Sequence, residues 1–326
     1  MKTFHPHRFW SRALAALSIL AVLAFAPARS GAGDPPAAAQ QRRFATPEEA
    51  TKALLDAARA KDKDALHEIF GPEIHDILTG DPVQDAANFE AFTKAMGQMC
   101  NPVHEGDDKI VLNIGPENWP FPIPLVRQDG QWFFDTDAGK EEIINRHIGE
   151  GEINAINVCQ AYVQAQRQYA AEDRDGSGVL KYAQHFKSAP GTKDGLYWES
   201  APGEEPSPFG PLVAQAHAEG YGQKPKGAGR QPFHGYYFKI LTAQGPAAPG
   251  GRYNYIINGN MIAGFALVAW PAHWGQSGIM TFIVNQQGKV YQRNLGEKTA
   301  QIASAMTRYN PDNSWTPVQE PVALAK

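Results

Sequence analysis

The stretch Gly264 to Gly296, GFALVAWPAHWGQSGIMTFIVNQQGKVYQRNLG, decides the fold class. Phe265, Leu267 and Ala269 alternate with Ala266, Val268 and Trp270, and Met280, Phe282 and Val284 alternate with Ile279, Thr281 and Ile283. A period of two marks pleated strands packed on at least one face. A Pro-Ala-His-Trp-Gly loop and a Gln-Gly turn divide the stretch, so it reads as three strands of one antiparallel sheet.

Upstream, residues 236–242 form a further strand, and Asn258-Gly259 between apolar runs is a strong hairpin signal. Residues 199–233 are dense in proline and glycine and read as an irregular excursion, with a short helix near Leu212 to Ala218. Its basic patch, Lys224, Lys226 and Arg230, fits a solvated loop. Residues 152–170 read as a long amphipathic helix with Ile153, Ile156, Cys159 and Tyr162 on its apolar stripe. Residues 138–148 precede it as a helical connector ending at Gly149. A short helix from Glu297 to Met306 and a loose tail close the chain.

The amino-terminal half has a different order. Thr46-Pro47-Glu48-Glu49 is a helix start, with Thr46 as cap and Pro47 at the first helical position. Helices over 47–60, 63–70 and 83–99 precede strands at 109–114, 121–127 and 131–135; the prolines of the second suit an edge. The expected architecture is α+β in two domains: helices on a small antiparallel sheet over 44–148, then a long helix on an antiparallel meander over 149–310, with a tail at 311–326.

Lys2, Arg8 and Arg12 precede the apolar run Ala13 to Phe25, and Ala26-Pro27-Ala28 supplies small residues for cleavage. Residues 1–28 therefore read as a signal peptide, too short in its apolar run to span a bilayer, and 29–43 as a disordered leader. Removing 1–28 leaves 27 Lys and Arg against 34 Asp and Glu, a charge of −7. An exported, periplasmic or extracellular protein follows, with no stable membrane span after cleavage. Its acidic balance gives no bulk field for nucleic acid. Two cysteines, Cys100 and Cys159, permit one disulfide in such a compartment, while the helix stripe suits Cys159 as a buried free thiol.

Chemistry is sparsely signalled. Asp173, Asp175 and Ser177, followed by Gly178, match the first half of a calcium loop, but position twelve is Gln184 rather than a carboxylate. Calcium is the one cofactor that spacing suggests. Asp135, Asp137, Glu141 and Glu142 cluster carboxylates, and Asp137 serves more simply as a helix cap. Tyr197-Trp198 and His273-Trp274 are loop aromatics suited to ligand or partner contact. Gly275-Gln276-Ser277-Gly278 lacks the context of a nucleophile elbow, and His67-Glu68 lacks the second histidine of a zinc protease. The expectation is a non-enzymatic envelope binding or assembly module with an envelope protein or ligand as partner. The alternative is an envelope hydrolase using His273 with a carboxylate of the Asp135/Asp137 cluster.

Three resemblances carry further expectations. TPEEATKALLDAARAKDKDAL (46–66) and IPLVRQDGQWFFDT (123–136) resemble the nuclear-transport-factor-2-like cone fold. AYVQAQRQYAAEDRDGSGVLKYA (161–183), GYYFKILT (235–242) and the run 265–292 resemble type IV pilin and type II pseudopilin globular domains. The apolar stem of a pilin is absent, since polar residues such as Lys140, Glu141, Glu142 and Arg146 precede the helix, so pilus assembly by stem packing is not implied. FPIPLVRQDGQWFFDTDAGKEEIINRHIGEGE (121–152) and YYFKILTAQGPAAPGG (236–251), with the opening stretch, resemble the bacterial domain of unknown function 2950. That likeness implies an exported bacterial protein and no particular activity.

Overall fold

Thr46 Oγ1 accepts from Glu49 N at 3.2 Å and Pro47 follows, which starts α1 (Pro47–Ala60). Asp62 caps α2 (Lys63–Phe70) and Asp81 caps α3 (Pro82–Gln98). The computed structural model describes residues 41–201, 203–222 and 230–319. The signal peptide at 1–28, most of the leader, Lys224, Lys226 and the last residues of the tail lie outside the described residues. Within the leader, Gln41 Nε2 donates to Ile69 O at 3.0 Å and Arg42 N to Glu68 O at 2.8 Å, so an anchored chain replaces the expected disorder at 41–43.

After α3 come β1 (Cys100–His104), β2 (Lys109–Ile114), β3 (Trp119–Pro120), β4 (Leu125–Gln128) and β5 (Gln131–Phe134). They form one antiparallel sheet in the order β1-β2-β4-β5, with β3 on β2. Ile110, Leu112 and Ile114 alternate inward to meet Leu54, Ile69, Phe70 and Met96 of the helices. Each such buried side chain contributes about 1.5–3 kcal/mol. The proline-bearing strand is not at an edge: Pro122 and Pro124 fall before β4, which pairs with both β2 and β5.

Asp135 Oδ1 accepts from Ala138 N at 3.0 Å and opens α4 (Thr136–Tyr169), a single helix of 34 residues. The expected connector and second helix are therefore one element. Gly149 is helical, and Gly151 serves close packing: a Cβ there would lie 2.6 Å from Ser277 O. Gly139 does the same against the first sheet, where a Cβ would lie 2.8 Å from Ile123 Cα. No helix among the described residues is long and apolar enough to cross a membrane.

Beyond α4 lie β6 (His185–Lys187) and β7 (Gly195–Tyr197), a parallel pair, and α5 (Gly210–Ala218). Then follow β8 (Tyr236–Leu241), β9 (Ala243–Gln244), β10 (Tyr253–Asn254), β11 (Ile256–Ile257) and β12 (Asn260–Met261). Asn258 and Gly259 both have positive φ, 49° and 81°, as a type I′ turn between β11 and β12 requires. The opening stretch supplies β13 (Ala266–Pro271), β14 (Met280–Asn285) and β15 (Tyr291–Asn294). After α6 (Thr299–Ala305), the short β16 (Thr316–Pro317) completes an antiparallel sheet in the order β16-β15-β14-β13-β8. Its two central strands are buried on both faces, by α4 on one side and α6 on the other. The expected loose tail is corrected as far as 319, because Tyr309 and Trp315 are buried and β16 pairs with β15.

The architecture is α+β, with helices and mainly antiparallel sheets. Its buried apolar side chains fall into two clusters, one around Leu54, Phe70 and Leu125, the other around Tyr162, Phe265 and Phe282.

Candidate functional site

Two stretches singled out by sequence, Asp173 to Ser177 and Tyr197-Trp198, meet in one place. The Arg174 side chain, 4% exposed, lies over the Trp198 ring at 5.7 Å and pairs with Glu172 and Glu205. Trp198 is only 8% exposed and packs in the second cluster, with Tyr197 half-buried against it, so this pair is not an aromatic contact loop. The calcium spacing fares no better. Lys181 Nζ donates to Asp175 Oδ2 at 2.5 Å and to Ser177 Oγ at 3.2 Å, placing an ammonium among the would-be ligands. It also holds the Asp175 carboxyl down at about 2. Among the described residues, no group of three or more His, Cys, Asp or Glu is arranged to hold a metal ion.

Cys100 and Cys159 are both free, so the disulfide allowed by their number is not formed. Cys159 is fully buried in the second cluster and Cys100 packs against the first. Burial pushes the Cys159 thiol up to about 12, which leaves it unreactive.

The His273-Trp274 loop is exposed and closed on itself by hydrogen bonds. His273 N donates to Ser277 Oγ at 3.0 Å, and that hydroxyl donates back to His273 O at 3.2 Å. Gly275, at φ 81°, makes the left-handed turn between them. Trp274 Nε1 donates to Asn294 Oδ1 at 3.0 Å, fixing an indole that is 37% exposed. Ala272, His273, Trp274, Gln276, Glu297 and Ala300 line a groove of about 360 Å³. The imidazole rests on Gly80, where any Cβ would collide with it. Asp135 and Asp137 are elsewhere: Asp135 caps the start of α4, about 24 Å along the axis from the turn at Gly151 that meets Ser277. The carboxylate that shares the groove with His273 is Glu297.

Beneath the loop lies a buried polar junction. Asp81, 0% exposed, accepts from Val83 N at 3.1 Å and Gln84 N at 3.4 Å through Oδ1. Through Oδ2 it accepts from Tyr221 Oη at 2.8 Å and Gly235 N at 3.1 Å. His234, held at φ 47°, meets Gln84 Oε1 at 3.0 Å and Glu219 Oε2 at 2.9 Å. Thr79, His147, Glu150, His234 and Ser277 surround a void of about 10 Å³, room for roughly one water. The residues at this junction tie the start of α3, the excursion after α5 and the loop before β14 into one assembly.

A family model described as "Protein of unknown function (DUF2950)" matches residues 41–318. The chain belongs to the DUF2950 family. No curated protein and no solved structure matches it, so the pilin-like and nuclear-transport-factor-2-like resemblances gain no support from known structures. The DUF2950 match starts where Gln41 is anchored and ends just after β16, taking in the groove and the junction.

Asp81, His147, Tyr221, His234 and Glu297 escape a reading of the DUF2950 sequence motif by motif. Gly80-Asp81-Pro82 does carry a helix-cap signal, an Asp cap with proline at the first helical position, although the expected helix begins at Val83. His147 Nε2 lies 3.1 Å from Asn88 Nδ2, an amide nitrogen that donates and does not accept. Burial lowers its pKa, with the carboxylates of Glu150 and Asp85 opposing. The folded chain therefore binds this proton less readily than the unfolded one. Stability from this site is complete above the unfolded value, about 6.5, and falls as pH drops through the folded value. His147→Gln is expected to shrink the fall in melting temperature between pH 7.5 and pH 5; an unaltered pH profile would refute this.

Proposed function

We propose that this DUF2950 chain is exported and acts by binding, with its ligand seated in the groove beside Trp274. The pinned indole carries the reading: an exposed ring already fixed by Asn294 loses little freedom on contact and offers a large apolar face. A groove of about 360 Å³ falls within the size of small-molecule sites. His273, Gln276 and Glu297 add polar groups that can orient a ligand. Export rests on Lys2, Arg8 and Arg12 before the apolar run 13–25.

A thermal-shift screen of the mature chain against envelope glycans, peptides and polyamines tests this. A ligand that raises the melting temperature of the wild type should lose at least tenfold in affinity with Trp274→Ala, a loss of about 1.4 kcal/mol. The variant's own melting temperature should hardly change, because the ring is exposed. A ligand bound equally well by the variant would remove the groove from consideration. Turnover of an ester, peptide or glycoside by the wild type, abolished in His273→Ala, would instead favour an envelope hydrolase built on His273 and Glu297.

A further inference from the structure

The loop from Asp173 to Lys181 has the oxygen spacing of a calcium loop, yet its oxygens already face a cation. Lys181 Nζ donates to Asp175 Oδ2 at 2.5 Å, Ser177 Oγ at 3.2 Å and Asn260 Oδ1 at 3.0 Å. Three donors on a compact ammonium meet three side-chain oxygens, so its hydrogen-bonding capacity is filled. Its side chain is 15% exposed, while that of Asp175 is 39% exposed, so the pair sits at the protein surface with its lysine mostly covered. Asp173 turns both oxygens to the loop's own amides, Oδ1 to Ser177 N at 3.2 Å and Oδ2 to Gly178 N at 2.7 Å. Gln184, at the twelfth position, points Nε2 away to Gly259 O at 2.8 Å.

We propose that Lys181 is the permanent cation of this loop. Its tethered ammonium takes the place that calcium holds in loops of the same spacing and fastens the loop to the β11–β12 hairpin through Asn260. A divalent cation beside it would meet repulsion, and the loop lacks the two-oxygen carboxylate that calcium loops supply at position twelve. The fold around α4, β11 and β12 is thus closed without metal, and its stability is independent of calcium. In an exported protein this separates folding from the ion content of the surroundings.

Thermal unfolding of the full mature chain, with chelator or with millimolar calcium, tests the inference in the wild type, Lys181→Gln and Lys181→Arg. The wild type should melt at one temperature in both conditions. Lys181→Gln removes the charge and supplies an oxygen. It should melt about 2–4 °C lower with chelator and recover part of that loss in calcium. Lys181→Arg keeps the charge and should stay unresponsive to calcium. A calcium-dependent rise in the wild type, or bound calcium found by calorimetry, would overturn the proposal. So would a Lys181→Gln chain that melts like the wild type or ignores calcium. If Lys181→Gln fails to fold, the wild type and Lys181→Arg decide by the same criterion, since a calcium response in either contradicts a permanent internal cation.

Discussion

Asp81→Ala is expected to destabilise the protein by roughly 3–5 kcal/mol, the sum of a lost helix cap and buried donors left without an acceptor. Val83 N and Gln84 N lose their cap, while Tyr221 Oη and Gly235 N lose the only acceptor they share. Because the carboxylate is fully buried, water cannot readily take its place. A fall in melting temperature on the order of 10 °C should accompany the change. Tyr221→Phe removes one of those bonds, leaves the carboxylate with its three amide donors and takes from His234 N the acceptor it has at 3.1 Å, so about 1–3 kcal/mol is expected there. Denaturant unfolding followed by circular dichroism measures both. A loss below about 1 kcal/mol for Asp81→Ala would show that the junction is not a structural tie.

The second large effect is a contrast of sign within one helix. Gly151→Ala would place a methyl 2.6 Å from Ser277 O, with His234 O and Tyr236 Cε2 each 3.4 Å away. A backbone carbonyl cannot swing aside as a flexible side chain does, so α4 must lift from the β14 loop at a cost of about 1–3 kcal/mol. Glu152, the next residue, would be drawn from Ile279 N and Met280 N, whose hydrogen bonds it accepts at 3.0 Å. Gly149→Ala, two positions earlier, meets nothing within 4 Å and should stabilise the helix by up to about 1 kcal/mol. Unfolding curves for the two variants should shift in opposite directions. A stabilised Gly151→Ala would mean that helix and loop do not meet as closely as described.

These two cases also mark what can be read from the chain. The sheet of β13, β14 and β15 is legible as short apolar runs around Leu267 and Phe282 bounded by turn residues, although β13 and β14 are buried on both faces and show no alternation, and Asn258-Gly259 announces the β11–β12 hairpin by local chemistry alone. Asp135 as a cap is legible in outline, although the carboxylate reading chose Asp137. The unity of α4 is not legible. Gly149, Gly151 and the polar run before them look like an interruption, and only the later arrival of Ser277 explains why glycine is required at 151. Lys181 hides for a similar reason: one of its three oxygens, Asn260, comes from a distant hairpin. The polar junction leaves no periodic trace, since Asp81 and Tyr221 stand 140 positions apart. The exposed half of the groove is legible through His273-Trp274, whereas Glu297 reads as an ordinary residue of a short helix.

The close approaches at Gly139 and Gly151 bear on how the length of this chain can vary. Between them α4 advances about 18 Å and winds so that its two contact faces stand about 120° apart. One inserted or deleted residue in that interval would turn one face by about 100° against the other. Gly151 would then leave Ser277, and the registry that brings Gly235 to Asp81 would be lost with it. The two glycines therefore act as a phase lock, and the interval between them cannot change length while both contacts persist.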